Sequence, residues 1–214
     1  YLTLHLIIDA SASMNFGSPS KIHFARQLAA ALGYVALSGH ERVCVEAFSG
    51  EQVQRLSPCR GKASVRKLFA FLEGLSADGG TYLERASKAY TSRNRAKGIA
   101  ILISDFFDEE GFEGAIRRLN AGRSDVYAIH VLAPEEIEPK LTGDLKLIDS
   151  ETGAFAEISV SRALLQRYNK NLDGFVEQVR SYCAARGVGY VPVSSDISFE
   201  RLTLDMLRKG GLLR

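Results

Sequence analysis

Two strand-length apolar runs constrain the fold of this chain more than any other feature of its sequence. Leu2–Ile8 hardly alternates between apolar and polar residues towards its end, and Gly98–Ser104 is apolar until its last residue. Strands of this kind are buried on both faces, as in a parallel sheet that helices cover on each side. The segment from Lys21 to Leu37, which follows the first run, has the apolar spacing of a helix. Strands and helices that alternate in this way predict an α/β fold.

The predicted fold is a doubly wound, mostly parallel sheet with one antiparallel edge strand and helices on both faces. The turn Ser49-Gly50-Glu51 separates two short strands and is typical of a hairpin. A second, small β-hairpin is predicted as an insertion at about 144–158, where the alternation of strands and helices breaks. The other predicted elements are strands over 126–132 and 188–193, and helices from Ser64, over 83–92, through Phe112 to Leu119, from Ser161, and from about 198 to 208.

Length, charge and cysteine usage restrict the class of protein. A chain of 214 residues is long enough for one large domain, so a single domain over 1–214 is predicted. The net charge is only +2 and no basic stripe is present, which argues against a nucleic-acid partner. Three dispersed cysteines without a CxxC pair indicate a reduced, cytoplasmic setting. No apolar run approaches the ~20 residues of a membrane span. Because Tyr1 directly precedes a buried strand, we expect an N-terminal part of the full-length protein to be missing.

Five oxygen-bearing side chains lie at points where the predicted strands end or helices begin. Asp9, Ser11 and Ser13 follow the first buried strand, Thr81 follows a Gly-Gly turn before a helix, and Asp105 follows the strand Gly98–Ser104. In an open parallel sheet the carboxyl ends of the strands face one crevice, where ligands bind. We therefore expect the carboxylates of Asp9 and Asp105 to lie close together.

The chemistry of these five side chains favours a hard divalent cation. Two adjacent carboxylates repel each other unless a cation lies between them. Two carboxylates with three neutral hydroxyls suit Mg2+, with Mn2+ or Ca2+ as substitutes, and do not suit zinc. Two negative charges at most balance the ion, so it stays electrophilic and keeps an open position. A carboxylate from a partner protein fits that position, which predicts metal-dependent binding without catalysis.

Other interpretations of the same residues remain open. Side-chain oxygens at such positions are also typical of helix caps and turns, and this alternative applies to Asp9, Ser11, Ser13, Thr81 and Asp105. Alternatively, Asp9 is the nucleophile of a metal-dependent phosphohydrolase. Such enzymes usually have a second acid two residues further on, where this chain has Ser11. A nucleotide-binding protein is disfavoured because neither GxGxxG nor GxxxxGK[ST] follows a strand.

These motifs resemble the metal-ion-dependent adhesion site of the von Willebrand factor A family, which consists of DxSxS, a Thr and an Asp. The chain is most similar to a bacterial branch known as domain of unknown function fifty-eight, in the stretches DASASMNFGSPSK, GGTYLERA, LISDFFD, GDLKLIDSETG and YVPVSSD. The resemblance implies a Rossmann-like fold with the metal ligands Asp9, Ser11, Ser13, Thr81 and Asp105. It also implies a non-enzymatic adaptor or chaperone-like partner of a MoxR-type AAA+ ATPase.

The sequence departs from the family pattern in two places. Relatives commonly have an acidic residue where this chain has Tyr82, and the branch usually carries a segment before the first strand that is absent here.

Phe106 and Phe107 are interpreted as packing residues, with an exposed aromatic beside the metal as a candidate partner contact. The acidic residues around 134–139 are interpreted as a solvated loop.

Overall fold

A six-stranded sheet forms the centre of the molecule in a computed structural model that describes residues 2–94, 96–141, 143–148 and 155–198. Its strands are β1 (Thr3–Asp9), β2 (Arg42–Ser49), β3 (Gln52–Arg60), β4 (Gly98–Ser104), β5 (Asp125–Leu132) and β8 (Gly189–Ser194), in the spatial order β3-β2-β1-β4-β5-β8. All neighbouring pairs are parallel except β2 and β3. The predicted sheet, mostly parallel with one antiparallel edge strand, is therefore confirmed.

The described part of the chain also contains six helices and a separate β-hairpin. The helices are α1 (Lys21–Ser38), α2 (Val65–Glu73), α3 (Leu83–Arg93), α4 (Glu113–Asn120), α5 (Pro134–Ile137) and α6 (Arg162–Ala184). The hairpin pairs β6 (Gly143–Ile148) with β7 (Phe155–Val160) in a sheet of its own. The strands of the predicted insertion are thus confirmed, whereas its turn at 149–154 lies outside the described residues. The helix predicted for 198–208 also lies outside them, apart from its first residue.

The alternating side chains of the central strands divide the core into two layers. On one face, Leu6 of β1 and Ile101 of β4 pack with the buried sides of α1 and α2. On the other face, Ile7 and Leu102 pack with α3, α4 and α6. Each of these central strands is buried at every position, which explains the continuous apolar runs in the sequence. Helices on both faces are confirmed.

The start of α2 differs from the sequence-based expectation. The sequence predicts a helix from Ser64, but the helix begins at Val65, and the Ser64 hydroxyl donates a hydrogen bond to the carbonyl oxygen of Arg60 at 2.9 Å. A short 3-10 turn over Lys62–Ser64 leads into the helix, so Ser64 already has helical backbone angles and cannot act as a cap.

None of the helices that the structure describes has both the length and the apolar character that crossing a membrane requires. The assignment of residues 1–214 to a single domain stays a prediction.

Gly98 is expected to be essential for the close pairing of β1 with β4. It lies opposite Thr3 in the parallel register, and a Cβ at this position would overlap the backbone carbonyl of Thr3. Gly98→Ala should therefore lower the free energy of unfolding by about 1–3 kcal/mol, measured by urea denaturation. Gly174→Ala in α6 is the matched control, since a Cβ there meets nothing within 4 Å. That variant should be slightly stabilised by the gain in helix propensity, and equal effects of the two changes would contradict the steric explanation.

Candidate metal site

Three loops meet at the carboxyl edge of the sheet. β1 and β4 are parallel neighbours with Ile8 opposite Ile103, so Asp9 and Asp105 emerge beside each other at the same edge. Backbone hydrogen bonds join the loop after β1 to the loop before α3: Ala12 N donates to Gly79 O at 2.8 Å, and Asp78 N donates to Ala10 O at 2.9 Å. The structure therefore brings together the three stretches of chain that the sequence pattern selected.

Asp9 is completely buried and both of its carboxylate oxygens accept hydrogen bonds. Oδ1 accepts from the backbone N–H of Ser11 at 2.9 Å, and Oδ2 accepts from the hydroxyl of Ser104 at 2.5 Å. Burial, and then the charge of Asp105, raise the pKa of Asp9 to about 7, although the hydrogen bonds from Ser104 and Ser11 oppose this rise. An ionised Asp9 is thus poorly stabilised by the protein alone.

The three hydroxyl groups of the predicted site differ in exposure. Ser11 and Thr81 are buried, whereas Ser13 is half-buried. The Oγ atoms of Ser11 and Ser13 are 3.1 Å apart, so these two side chains converge as the DxSxS spacing predicts. Ala10, between Asp9 and Ser11, is buried in the core.

Asp105 is paired with a buried lysine that is not among the residues selected from the sequence. The ammonium of Lys21 lies 2.7 Å from Asp105 Oδ2 and 2.6 Å from Glu136 Oε1, and its side chain is only 1% exposed. The other oxygen of Asp105 accepts a hydrogen bond from the N–H of Phe107 at 3.1 Å. Burial tends to lower the pKa of Lys21, but the charges of Asp105 and Glu136 outweigh it and keep this pKa above its ordinary value.

Glu136 corrects the interpretation of the segment 134–139 as a solvated loop. The segment forms α5, a single helical turn, and the Glu136 carboxylate is 13% exposed. Its Oε2 accepts a hydrogen bond from Ala133 N at 2.7 Å while Oε1 accepts from Lys21. Burial raises the pKa of Glu136, and the lysine only partly compensates. The interpretation was wrong for this residue because its counterion lies 115 positions away in the chain.

The charges of this cluster do not balance within the protein. The ammonium of Lys21 is paired with Asp105 and Glu136, and Asp9 lies beside Asp105. These three carboxylates and one ammonium leave two formal negative charges when all are ionised. His130 does not add a positive charge, because burial lowers its pKa to about 4. A divalent cation would neutralise the remainder.

The residues present fit a hard divalent cation at this edge of the sheet. Two carboxylates with three hydroxyls form an all-oxygen donor set, which is the type that Mg2+ prefers. No group of three or more His, Cys, Asp or Glu side chains suited to a metal ion occurs in the described ranges, so a zinc-type site is not found there. The assignment of Asp9, Ser11, Ser13, Thr81 and Asp105 as ligands stays a prediction.

Comparison with known proteins shows which family model and which relatives this chain matches. A family model described as a protein of unknown function, DUF58, matches residues 1–174. Uncharacterised proteins of Mycobacterium bovis and Mycobacterium tuberculosis are each 30% identical to the chain over 164 residues, which is 74% of the chain and 51% of each relative. The chain thus spans about half the length of these curated relatives.

Solved structures with a similar fold have low sequence identity to this chain. BatB from Bacteroides thetaiotaomicron superposes with a TM-score of 0.57 at 17% identity, over 98% of both chains. The VWA (von Willebrand factor A) domain of SpRpn10 superposes with a TM-score of 0.52 at 11% identity, over 96% of this chain and 94% of that one. At such identities the likeness is one of fold.

Proposed function

Because the chain belongs to the DUF58 family and has a von Willebrand factor A-like fold, we propose that it is a non-enzymatic protein-interaction domain with a metal-ion-dependent adhesion site. The proposed cation is Mg2+, with Mn2+ or Ca2+ as substitutes. The proposed ligands are Asp9, Ser11, Ser13, Thr81 and Asp105. The observation that carries the proposal is an excess of buried carboxylate at one edge of the sheet: Asp9 lies beside Asp105, while the ammonium of Lys21 is paired with Asp105 and Glu136.

The residues of the chain have distinct tasks in this proposal. Asp9 and Asp105 provide the negative charge that holds the cation, while the hydroxyls of Ser11, Ser13 and Thr81 complete its surroundings without adding charge. When bound, the cation supplies an electrophilic position for an oxygen of the partner's acidic side chain. Lys21 holds one oxygen of Asp105 through its contact at 2.7 Å, which limits the rotation of this carboxylate.

The partner and setting are proposed from the family resemblance. We infer that the partner belongs to a MoxR-type AAA+ ATPase system in the cytoplasm and presents an acidic side chain. A role in nucleic-acid binding is not proposed, since the formal net charge is +2 and several basic side chains are paired with acids, such as Arg93 with Glu46 and Arg118 with Glu84.

A phosphohydrolase is the alternative in which Asp9 acts as the nucleophile. The position two residues further on holds Ser11, whose hydroxyl cannot serve as a general acid at neutral pH. We therefore propose no catalytic role for these residues.

Thr81 offers a direct test of the metal site. In calorimetric titrations the wild-type protein should bind one Mg2+ or Mn2+ ion, Thr81→Ser should retain this affinity, and Thr81→Ala should lose roughly tenfold or more. The serine variant is the matched control because it keeps the hydroxyl and removes only a methyl group. Absence of metal binding in the wild-type protein would contradict the proposal.

Pull-down from a lysate with excess Mg2+ and then with a chelator gives the second part of this test. Capture of the ATPase system should require the metal and should be lost in Thr81→Ala. Metal-dependent turnover of a generic phosphatase substrate by the wild-type protein would instead favour the enzyme.

A further inference from the structure

Three exposed aromatic residues lie on the loops that form the candidate metal site, one on each loop. Phe16 lies between β1 and α1, Tyr82 directly follows Thr81, and Phe107 lies two residues after Asp105. Their exposed fractions are 50%, 38% and 38%. We refer to Phe16, Tyr82 and Phe107 as the aromatic rim. A single exposed aromatic is common on protein surfaces, but here one accompanies every loop that carries a proposed ligand.

Contacts with the buried lysine show that two members of the aromatic rim border the same charged centre. The ammonium of Lys21 lies 6.0 Å from the ring centroid of Phe16 and 5.3 Å from that of Phe107. The same ammonium binds Asp105. Both rings are therefore placed beside a proposed metal ligand.

A hydrogen bond connects the loop of the third member, Tyr82, to the loop of the second, Phe107. The N–H of Leu83, the residue after Tyr82, donates a hydrogen bond to Asp108 Oδ2 at 2.7 Å. Asp108 directly follows Phe107, so this bond ties the loop of Tyr82 to the loop of Phe107. The rim thus follows the three loops around the carboxyl edge of the sheet.

Phe107 is partly exposed and also packs against another aromatic ring. Its ring stacks on Phe175 of α6, with centroids 5.4 Å apart and planes at 24°. The preceding Phe106 is buried, packs edge-to-face on Phe112 and His130, and has a φ of 61°, a left-handed conformation that is rare for aromatic residues. The packing of Phe106 that was expected from the sequence is confirmed. Because Phe107 is already held in place, contact with a partner would cost little side-chain entropy.

The charge around the rim restricts what can bind there. Asp108, Glu109 and Glu110 follow Phe107, and Glu135 approaches the Phe16 loop by accepting a hydrogen bond from Ser18 N at 3.2 Å. These side chains would repel an acidic segment, whereas the proposed cation attracts one carboxylate. A single acid between apolar neighbours satisfies both conditions.

We propose that the aromatic rim selects an extended peptide segment of the partner in which one acidic residue stands between bulky apolar side chains. This inference rests on the proposed function, since the acidic residue must meet the bound cation. The apolar neighbours on each side pack against the rings of the rim. Runs of acidic residues and acids between small polar residues bind more weakly.

The test uses three fluorescein-labelled nonapeptides of defined sequence with the wild-type chain. Their centres are Phe-Asp-Leu, Ser-Asp-Ser and Asp-Asp-Asp, and fluorescence anisotropy is measured with Mg2+ or Mn2+ and with a chelator. In the presence of metal, the Phe-Asp-Leu peptide should bind about tenfold or more tightly than the other two. Phe16→Ala and Phe107→Ala should each remove most of this preference without changing metal affinity in calorimetry.

Tyr34→Ala is the matched control for Tyr82→Ala. Tyr34 is 49% exposed and lies thirteen residues after Lys21 on α1, roughly 20 Å along the helix axis. The control should bind all three peptides like the wild-type protein, whereas Tyr82→Ala should lower affinity for the Phe-Asp-Leu peptide.

The outcomes separate this inference from the proposed function. Equal metal-dependent binding of the Phe-Asp-Leu and Ser-Asp-Ser peptides would overturn the inference and leave the metal-dependent function standing. Absence of metal binding, or of any metal-dependent peptide binding, would overturn both. Phosphatidylserine vesicles that bind the wild-type chain but not Phe107→Ala, with or without a chelator, would show that the rim contacts membranes and would also overturn the inference.

Discussion

Lys21→Met is expected to destabilise the metal-free protein by about 3–5 kcal/mol. The ammonium of Lys21 is buried and contacts Asp105 and Glu136 at 2.7 and 2.6 Å. Methionine has a similar length but no charge, so its introduction leaves both carboxylates without their counterion in a low-dielectric environment. Urea denaturation at pH 8 with a chelator measures the loss.

Divalent cations should reverse much of this loss. Removal of Lys21 makes the cluster more negative by one charge, so a cation that binds Asp9 and Asp105 is attracted more strongly. We therefore expect Lys21→Met to bind Mg2+ more tightly than the wild-type protein and to gain more stability at saturating Mg2+.

Two further variants control the interpretation of Lys21→Met. Lys88→Met removes an exposed lysine from α3 and should change the free energy of unfolding by no more than about 0.5 kcal/mol. Adding Glu136→Gln to Lys21→Met removes one uncompensated charge and should restore part of the stability. If Lys21→Met is as stable as the wild-type protein in a chelator, the lysine is not the counterion of Asp105 and Glu136 that its distances indicate.

The convergence of Asp9 and Asp105 could be predicted because it depends on local patterns and one general rule. The continuous apolar runs of β1 and β4 identify buried parallel strands, and neighbouring parallel strands end at the same edge of the sheet. The small residues of the DxSxS stretch mark the loop directly after β1. None of these inferences requires knowledge of contacts between distant side chains.

The Lys21–Glu136 pair could not be predicted in the same way. A lysine in the first turn of a helix and a glutamate between two prolines are ordinary solvent-exposed residues, and lysine is rarely buried. Their pairing depends on how α1 and α5 approach the carboxyl edge, which only the three-dimensional arrangement shows. Ser104 was missed for a related reason: it ends an apolar strand, and nothing in that pattern indicates that its hydroxyl binds Asp9.

Asp9→Asn is expected to abolish the binding of Mg2+ while making the metal-free protein more stable at pH 8. The amide keeps the shape of Asp9 and removes the charge that the proposed cation requires. It also removes a buried carboxylate whose pKa is raised from 3.8 to about 7 by burial and by Asp105. Each pKa unit corresponds to about 1.4 kcal/mol, so the gain should be on the order of 4 kcal/mol.

The pH dependence of this gain follows from the sign of the shift. Because the folded pKa exceeds the unfolded value, the native state binds the Asp9 proton more tightly than the unfolded chain. The stability that this proton contributes is fully present below about pH 4 and is lost as the pH rises through about 7. The two proteins should therefore be equally stable near pH 4, and the variant should become progressively more stable towards pH 8.

Urea denaturation in a chelator across this pH range measures the difference in free energy of unfolding between the two proteins. The titration of His130 does not affect this difference. Burial lowers the pKa of His130 to about 4, so its own contribution is lost as the pH falls from about 6.5. This residue is present in both proteins and largely cancels. Asp173→Asn, at an exposed position of α6, should show no comparable pH dependence.

The same variant separates the two proposed roles of Asp9. If Asp9 is a metal ligand that is costly to bury, the Asp9→Asn variant should be more stable than the wild-type protein without metal and should no longer bind the metal. Unchanged Mg2+ binding by Asp9→Asn would exclude Asp9 as a ligand on which the cation depends. A wild-type phosphatase activity that Asp9→Asn abolishes would decide for an enzyme, because a domain that only binds its partner has no turnover to lose.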